Sequence, residues 1–381
     1  MKLNILHISA SYIPAYIYGG PTMSVSQLAE NLVHYGKQNV SVYTTTANGK
    51  TELEIIPNII HLINGVKVTY FKRITKDHSH FSPKLYIALW QNIRQFDIIH
   101  LHAWWHLVSI FAGLICIVKN KKFILSPRGT LSNYSFNNRS SLLKKSLHFL
   151  VGKFILNKAH FLLTSKNEEE SINKLLEKKV GTHILPNFVK RRAPTLQLKL
   201  PELSTLKILF LSRIEEKKGI EILLTALKNF NYPYILSLAG YGEEEYISQL
   251  KKLSIKTGVD AYCTWLGQIS TENKFDLYNQ HHLLVLPSHN ENFANVVIES
   301  LSVGTAVIIS PEVGLADYVL KNKLGWVCAR TATALHQQLV EIIDNPQQLI
   351  RIKQQAPNII FNDFEEEKLS EKYIEYYEKN L

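Results

Sequence analysis

The stretch Ser288-His-Asn-Glu-Asn-Phe-Ala-Asn-Val-Val-Ile-Glu299 lies between two short apolar runs, Leu283–Leu286 and Ala306–Ile309. Each run has the length of a strand that is buried on both faces, which is typical of parallel sheets. Between them the pattern predicts a helix from about Ala294 to Val303, which ends at Gly304. Strand, loop, helix and strand form a βαβ unit. We therefore expect the loop at the carboxyl end of a parallel sheet, where open α/β folds bind ligands.

Two carboxylates mark this unit, Glu291 in the loop and Glu299 in the helix. We place the unpaired backbone amides of the helix start at Phe293 to Val296, and such amides form an anion site. Amides for phosphate and carboxylates for hydroxyl groups together suit a ligand such as a sugar nucleotide. Two glutamates at this spacing also occur by chance. The alternative is one solvated glutamate and one ordinary glutamate near a helix start.

The length of 381 residues predicts two domains, and the apolar content of 46% suits a globular α/β protein. The three cysteines, Cys116, Cys263 and Cys328, are scattered and form no cluster with each other or with histidine. We therefore expect reduced thiols, a cytosolic compartment and no structural zinc. The apolar run Leu3–Ile8 is too short for a signal peptide, and Leu107–Val118 is too short to span a bilayer.

The net charge of +11 is unevenly distributed along the chain. Residues 1–190 contain 23 Lys and Arg against 9 Asp and Glu, whereas residues 191–381 contain 20 against 23. A basic first half indicates an anionic partner, either a membrane surface or a nucleic acid. Because no nucleic-acid-binding module is recognisable, we expect no nucleic-acid partner.

A basic amphipathic helix is predicted at Ser140–Asn157, within this first half. Its apolar stripe and its lysines suit a helix that lies at a membrane interface. The alternative is a helix that packs on the core and keeps a solvated basic face. The stripe consists of Leu143, Leu147, Leu150 and Phe154.

Three features of the first half follow predicted strands. Gly19 and Gly20 precede a helix, where adjacent glycines let the backbone approach a ligand closely. His102 ends the strand that begins at Asp97, and Arg128 follows a further strand. We expect His102 to face a ligand and His100 to point the other way or into the core. The alternatives are a flexible turn, a core or capping histidine, and a surface arginine.

The alternation of predicted strands and helices is interrupted by a linker from Lys190 to Ser204 and then resumes. Arg213 and Lys218 lie between a strand and a helix, where an arginine fork and a lysine point charge can bind a diphosphate. We expect Lys217 to be solvated. The turn at Gly240-Tyr-Gly242 lacks a third glycine and leads into three glutamates, so it predicts no dinucleotide fingerprint.

Together these motifs resemble family 4 of the retaining glycosyltransferases, and among them the bacterial capsule and lipopolysaccharide enzymes. The resemblance covers nearly the whole chain and follows the same motif order. It implies the GT-B fold class, an α/β architecture with two Rossmann-like domains whose parallel sheets face a central cleft. The motifs are Gly19-Gly20-Pro21, His-x-His ending at His102, Leu185-Pro-Asn-Phe188, Ser212-Arg213 to Gly219, Gly240-Tyr-Gly242, Leu266-Gly267-Gln268 and Glu291 with Glu299.

The resemblance implies roles for individual residues. Arg213 and Lys218 would hold the donor diphosphate, Glu291 the sugar hydroxyls and Glu299 the ribose, and Gly267 would border the base. The implied catalytic residues are His102, Arg128, Arg213, Lys218 and Glu291. The implied donor-binding residues are Gly19, Gly20, Arg213, Lys218, Gly267, Glu291, Asn292, Phe293, Ala294, Asn295, Val296 and Glu299.

Two positions depart from the family pattern. Asn292 occupies a place where a small residue is usual, which changes the hydrogen bonds offered to the sugar. Pro127-Arg128-Gly129 stands where many members have a histidine. Arg128 suits the departing phosphate or an anionic acceptor, but it is a poor general base because it keeps its proton. No Asp-x-Asp motif is present, so we expect no metal and no cofactor beyond the nucleotide-sugar co-substrate.

We therefore predict a metal-independent, retaining transferase that uses a nucleotide-sugar donor, with UDP preferred. The acceptor would be a glycan or a polyprenyl-linked glycolipid in cell-surface polysaccharide synthesis. The enzyme would be cytoplasmic and peripheral on an anionic membrane. The alternative is a non-hydrolysing sugar-nucleotide epimerase. The predicted domains are residues 1–189 for the acceptor, a linker at 190–204, residues 205–362 for the donor, and a final helix at 363–381 that packs back on the first domain.

Overall fold

The computed structural model describes residues 2–132, 135, 146, 148–177, 181–192, 204–270 and 272–381. The chain divides into two compact units, which are described separately. Unit 1 consists of Met1–Phe188 together with Phe364–Leu381, and unit 2 consists of Val189–Asp363. The last segment of the chain therefore belongs to the first unit.

Unit 1 is built on a mostly parallel sheet with the strand order β10-β9-β8-β7-β1-β2-β6-β5. A separate antiparallel pair joins β3 to β4. The order reverses between β1 and β7, so the loops that follow these two strands lie side by side. The strands are β1 (Asn4–Ile8), β2 (Asn39–Thr45), β3 (Ala47–Asn48), β4 (Thr51–Glu52), β5 (Ile60–Ile63), β6 (Val66–Phe71), β7 (Ile98–His102), β8 (Ile124–Ser126), β9 (His160–Leu163) and β10 (Thr182–Ile184).

Helices connect these strands and cover the sheet. In unit 1 they are α1 (Gly20–His34), α2 (Pro83–Asn92), α3 (Leu107–Val118), α4 (Lys153–Leu156), α5 (Lys166–Leu176) and, at the chain end, α13 (Glu366–Glu378). The predicted helix at Ser140–Asn157 lies partly outside the described residues. Its described part contains a π-helical turn, His148–Gly152, followed by α4. None of the described helices is both long and apolar enough to span a membrane.

Unit 2 is a fully parallel six-stranded sheet with the order β13-β12-β11-β14-β15-β16. This is the doubly wound order, and its switch point lies between β11 and β14. The strands are β11 (Leu206–Leu211), β12 (Tyr234–Ala239), β13 (Cys263–Gly267), β14 (Leu283–Leu286), β15 (Ala306–Ile309) and β16 (Gly325–Val327). The helices are α6 (Ile220–Ala226), α7 (Glu244–Thr257), α8 (Lys274–Asn279), α9 (Asn295–Ser302), α10 (Ala316–Asn322), α11 (Ala332–Asp344) and α12 (Gln347–Asp363).

The central βαβ unit of the sequence analysis is confirmed as β14, α9 and β15. All four residues of each strand are buried, as expected for parallel strands that are covered on both faces. The two strands pair directly in parallel, with Leu283 beside Ala306. The loop before α9 therefore opens at the carboxyl end of the sheet, next to the switch point.

Of the two alternatives for His100, burial in the core is confirmed, because the side chain is 0% exposed, and an orientation opposite to His102 is wrong. Residues two apart on a strand share a face, and the ring centroids of His100 and His102 lie 4.1 Å apart. His7 on the neighbouring strand β1 is level with His100 and lies on the same face. Three buried histidines therefore meet on one side of the unit 1 sheet.

Helix α13 packs on that same side. Its tyrosines Tyr373, Tyr376 and Tyr377 belong to the core that also contains Ile5 and Leu28. Their hydroxyl groups bond to Pro186 O, Phe161 O and the His100 ring, at 3.1, 3.1 and 2.9 Å. The final helix is thus an integral part of unit 1.

Candidate active site

The loops that follow β11 and β14 meet at the switch point of unit 2. The His289 amide donates to Lys217 O at 2.8 Å. Gly219 has a left-handed backbone (φ +68°), and a Cβ at this position would lie 2.3 Å from Pro287 O. Only glycine fits both conditions. Close packing of the two loops therefore fixes the charged residues that they carry.

Lys218 and Glu291 form an ion pair across these loops, and their side chains are only 8% and 15% exposed. Burial alone would raise the pKa of Glu291, but Lys218, Lys217 and Arg213 together hold that pKa below its ordinary value. Arg213 is exposed and pairs with Glu215 at 3.2 Å. Contrary to the prediction for Lys217, its side chain is half-buried. The result is a compact charged cluster in which three cations act on the Glu291 carboxylate and one of them, Arg213, also pairs with Glu215.

The loop that carries Glu291 is held from both sides by the segment after β15. The Glu291 amide donates to Glu312 O at 3.1 Å, and the Gly314 amide donates to Glu291 O at 2.8 Å. Ala294 has a left-handed backbone (φ 67°), which penalises a bulky side chain. Helix α9 begins at Asn295 rather than at Ala294 as predicted. The helix-start amides must therefore be counted from Asn295, and Phe293 lies before the helix.

Glu299 on α9 is held by two side chains that the sequence analysis missed. Tyr278 donates to its Oε2 at 2.8 Å, and Lys274 forms an ion pair with the same oxygen. No described residue bonds to Oε1. The spacing of Lys274 and Tyr278 by four residues, which places both on one helix face, was the available signal.

The glycines at Gly240 and Gly242 have a packing role. A Cβ at Gly240 would lie 1.8 Å from Ser212 O, and one at Gly242 would lie 2.1 Å from Ile214 O. The Ile214 amide donates to Tyr241 O at 2.7 Å. These glycines therefore let one loop press against the backbone on both sides of Arg213. Gly267, at the end of β13, has a φ of +66°, and no atom in the described part of the chain lies within 4 Å of a Cβ at this position.

In unit 1, Gly19 and Gly20 lead into helix α1, and no atom of the described residues lies within 4 Å of a Cβ at either position. Gly19 has a φ of +63°. The backbone is therefore open in front of the helix start, as close approach of a ligand requires.

A chain of hydrogen bonds leads from Arg128, which also contacts Ser24 on α1, to two buried histidines. Arg128 Nε donates to His102 Nδ1 at 3.2 Å, and His102 Nε2 lies 2.8 Å from His7 Nδ1. Burial, together with the Arg128 charge, lowers the pKa of His7 to about 3. Burial, His100 and Arg128 place the pKa of His102 well below its usual value. Neutral His102 must therefore carry its proton on Nε2 and donate a hydrogen bond from Nε2 to His7 Nδ1.

His100 forms a separate branch. Ser126 Oγ donates to Leu162 O at 2.7 Å, so it must accept from His100 Nε2 at 2.9 Å. His100 Nδ1 then accepts from the Tyr377 hydroxyl. The three imidazoles bring ligand atoms within 4.8 Å of one another. Both nitrogens of His100 and of His102 are nevertheless committed to protein partners, beside a guanidinium cation. His102, predicted to face a ligand, is 1% exposed and has no ring nitrogen to offer.

Comparison with known proteins agrees with this geometry. A family model described as "Glycosyltransferase Family 4" matches residues 18–192, and one described as "Glycosyl transferases group 1" matches residues 199–359. The chain belongs to glycosyltransferase family 4. An uncharacterized glycosyltransferase of Methanocaldococcus jannaschii is 25% identical over 82% of each chain.

Solved structures share the GT-B fold. Sucrose-phosphate synthase from Thermosynechococcus elongatus has a TM-score of 0.77 at 20% identity and covers 99% of each chain. HepE of Anabaena, in complex with UDP and glucose, has a TM-score of 0.73 at 17% identity and covers 99% of this chain and 100% of its own. The protein is thus a family 4 transferase with the GT-B fold, and it transfers a sugar from a nucleotide-sugar donor. These findings do not favour the alternative of an epimerase.

Proposed function

We propose that this family 4 enzyme is a retaining, metal-independent transferase. It moves a sugar from a UDP-sugar to a glycan or lipid-linked acceptor in cell-surface polysaccharide synthesis. The observation that carries the donor assignment is the arrangement at the unit 2 switch point. There Arg213, Lys217 and Lys218 act electrostatically on Glu291, and Glu299 Oε1 has no hydrogen-bond partner among the described residues. Retention of configuration rests on family membership.

In this proposal the cations of unit 2 bind the donor diphosphate. As the bond between the anomeric carbon and the leaving phosphate oxygen breaks, negative charge accumulates on the diphosphate. Arg213 and Lys218 stabilise that charge in place of a divalent metal. Glu291 accepts hydrogen bonds from sugar hydroxyls, and Glu299 Oε1 accepts from the ribose. Backbone around Asn292, Phe293, Ala294, Asn295 and Val296 borders the sugar and phosphates, and Gly267 borders the base.

Uridine is the preferred nucleotide because the structural relative HepE has been observed with UDP and glucose. We expect UDP to raise the melting temperature of the wild type more than GDP, ADP or CMP does. A ligand at a hundred times its Kd stabilises a protein by about 2.7 kcal/mol, which a thermal-shift assay resolves. The Glu299→Ala and Arg213→Ala variants should lose that shift.

An exposed lysine provides the control for this experiment. Lys228→Ala removes one positive charge of unit 2 away from the site, and it should keep the full response to UDP. A larger shift with GDP or ADP would overturn the choice of uridine. Absence of any nucleotide response in the folded wild type would overturn the donor assignment itself.

We further propose that unit 1 carries the acceptor at an anionic membrane surface. Phe149, Leu150 and Phe154, here called the apolar patch, are 82%, 74% and 53% exposed. Lys153 lies among them, and residues 1–190 are strongly basic. Apolar side chains flanked by cations are typical of reversible docking on anionic lipid.

Sedimentation with vesicles tests the membrane proposal. The wild type should bind vesicles that contain phosphatidylglycerol and release them at high salt. Burying a Phe or Leu contributes about 1.5–3 kcal/mol, so a Phe149→Ser/Leu150→Ser variant should bind at least tenfold more weakly. Ile255→Ser removes a comparably exposed side chain (66%) from unit 2 and should bind like the wild type. Equal binding by all three proteins would contradict the proposal.

A further inference from the structure

Arg128 is held in an environment that leaves its charge without a direct partner. Its backbone is left-handed, with a φ of 53°. Three of its five N–H donors bond to neutral groups: Nε to His102, and Nη1 to both Ser24 Oγ and Asn187 Oδ1 at 2.9 Å. Nη2 makes no hydrogen bond to any described residue. The guanidinium is thus fixed on one side, and the two N–H donors of Nη2 are available to a ligand.

The charges around Arg128 do not include a salt-bridge partner. Within the described part of the chain no carboxylate forms an ion pair with it. Burial lowers the pKa of the Arg128 guanidinium, and the Glu168 carboxylate acts on it electrostatically with a smaller effect in the opposite direction. That carboxylate accepts instead from the Gly129 amide at 2.7 Å and from the Thr164 amide at 3.1 Å. A cation in such a place is stabilised when an anion binds to it.

The histidines explain why Arg128 is precisely oriented yet unneutralised. His102 accepts a hydrogen bond from Arg128 Nε and donates one through its own Nε2 to His7. The Nε2 of His7 is buried and has no hydrogen-bond partner among the described residues. A neutral acceptor fixes the guanidinium plane and leaves its positive charge unneutralised. A carboxylate at the same position would neutralise that charge. We therefore regard His102 as a positioning residue for Arg128.

We propose that Arg128 anchors a phosphate group of the acceptor through Nη2. This inference rests on the proposed function, because unit 2 already supplies Arg213, Lys217 and Lys218 for the donor diphosphate. A further cation in unit 1 is then available for the second substrate. The open backbone at Gly19 and Gly20 precedes the helix that carries Ser24, a direct partner of Arg128. The acceptor would accordingly be a phosphorylated sugar or a polyprenyl-phosphate-linked glycan.

The test uses inorganic phosphate as the probe and the full-length chain saturated with UDP, so that the donor site is occupied. Isothermal titration at constant ionic strength should give a phosphate affinity at least tenfold weaker in Arg128→Gln than in the wild type. The UDP affinity of this variant should change less than twofold. Lys67→Gln, which removes an exposed cation of unit 1, should match the wild type in both titrations.

Three outcomes overturn the inference. Phosphate that fails to bind the UDP-saturated wild type, or that binds Arg128→Gln unchanged, removes the anion site. A parallel loss of UDP affinity in Arg128→Gln assigns Arg128 to the donor instead. Failure of UDP to bind the wild type is a separate result, because it removes the donor proposal and not the phosphate site.

Two measurements on the wild type keep the inference testable if Arg128→Gln does not fold. Phosphate should shift the ¹⁵N signals of the Arg128 guanidinium. The His102 ring should report the Nε2-protonated form both before and after phosphate is added. Unchanged Arg128 signals at saturating phosphate would overturn the anchor. A mixed tautomer at His102 would overturn its positioning role.

Discussion

Replacing Lys218 with alanine is expected to lower kcat by about 10²–10³-fold, the usual loss when one group that stabilises developing negative charge is removed. Lys218 is 8% exposed and is fixed by Glu291 and by the packing of Gly219 against Pro287. Water therefore cannot readily replace its ammonium group near the leaving diphosphate. The release of UDP from a UDP-sugar with water as acceptor measures this loss without knowledge of the natural acceptor.

The Lys228→Ala variant is the matched control, since it removes an exposed lysine of the same unit, and its kcat should equal that of the wild type. Removing Lys218 also leaves the Glu291 carboxylate without its ion-pair partner, so the melting temperature must be recorded for each variant. A folded Lys218→Ala variant whose kcat stays within threefold of the wild type would rule out this role for Lys218.

Protonation of His7, His100 and His102 in the unfolded chain is expected to lower the free energy of unfolding of unit 1 by about 4 kcal/mol between pH 6 and pH 5. His7, His100 and His102 are buried and neutral, and burial lowers the pKa of each, to about 3 for His7. In the unfolded chain a histidine takes up a proton near pH 6.5. Below that pH the unfolded state binds protons that the native state does not bind. The stabilising contribution of each buried neutral histidine is therefore fully present above pH 6.5. As the pH falls below that value, the contribution decreases by about 1.4 kcal/mol per histidine per pH unit.

Pulse-labelling hydrogen exchange at the backbone amides of β1 and β7, measured across a urea titration, reports on the unfolding of unit 1 alone. The His7→Gln variant should lose about one third of the pH dependence that these three histidines cause. His34→Gln, at an exposed position of the same unit, should follow the wild type. Equal stabilities at pH 6 and pH 5 would contradict the prediction, as would protonation of His7, His100 or His102 near pH 6.5 in the native NMR spectrum.

Local sequence patterns were sufficient to predict most of the fold. Buried apolar runs identified β14 and β15. The pair Asn64-Gly65 is a local hairpin signal, and it joins β5 to β6 with positive φ values of 50° and 82°. The same reasoning placed Arg213 and Lys218 after a strand and Glu291 in the adjacent loop. Such predictions succeed because periodicity and turn chemistry act over a few residues.

The contacts that the sequence analysis missed join distant residues. His7 meets His102 across 95 positions, and Tyr377 reaches His100 across 277. Neither spacing leaves a local signal, because strand order alone brings these side chains together. The solvated position predicted for Lys217 failed for a related reason. A loop lysine looks exposed until the neighbouring loop from β14 packs against it.

Helix α13 has a consequence for the order in which the enzyme assembles. Most of unit 1 is synthesised before unit 2, yet its core includes Tyr373, Tyr376 and Tyr377, which are synthesised after unit 2. Until α13 has been synthesised, His100 lacks its tyrosine partner and the core around Ile5 and Leu28 is incomplete. Unit 2 is synthesised as one continuous segment and can complete its fold first. The amino-terminal half should therefore mature last, and premature termination before Phe364 should damage that half most.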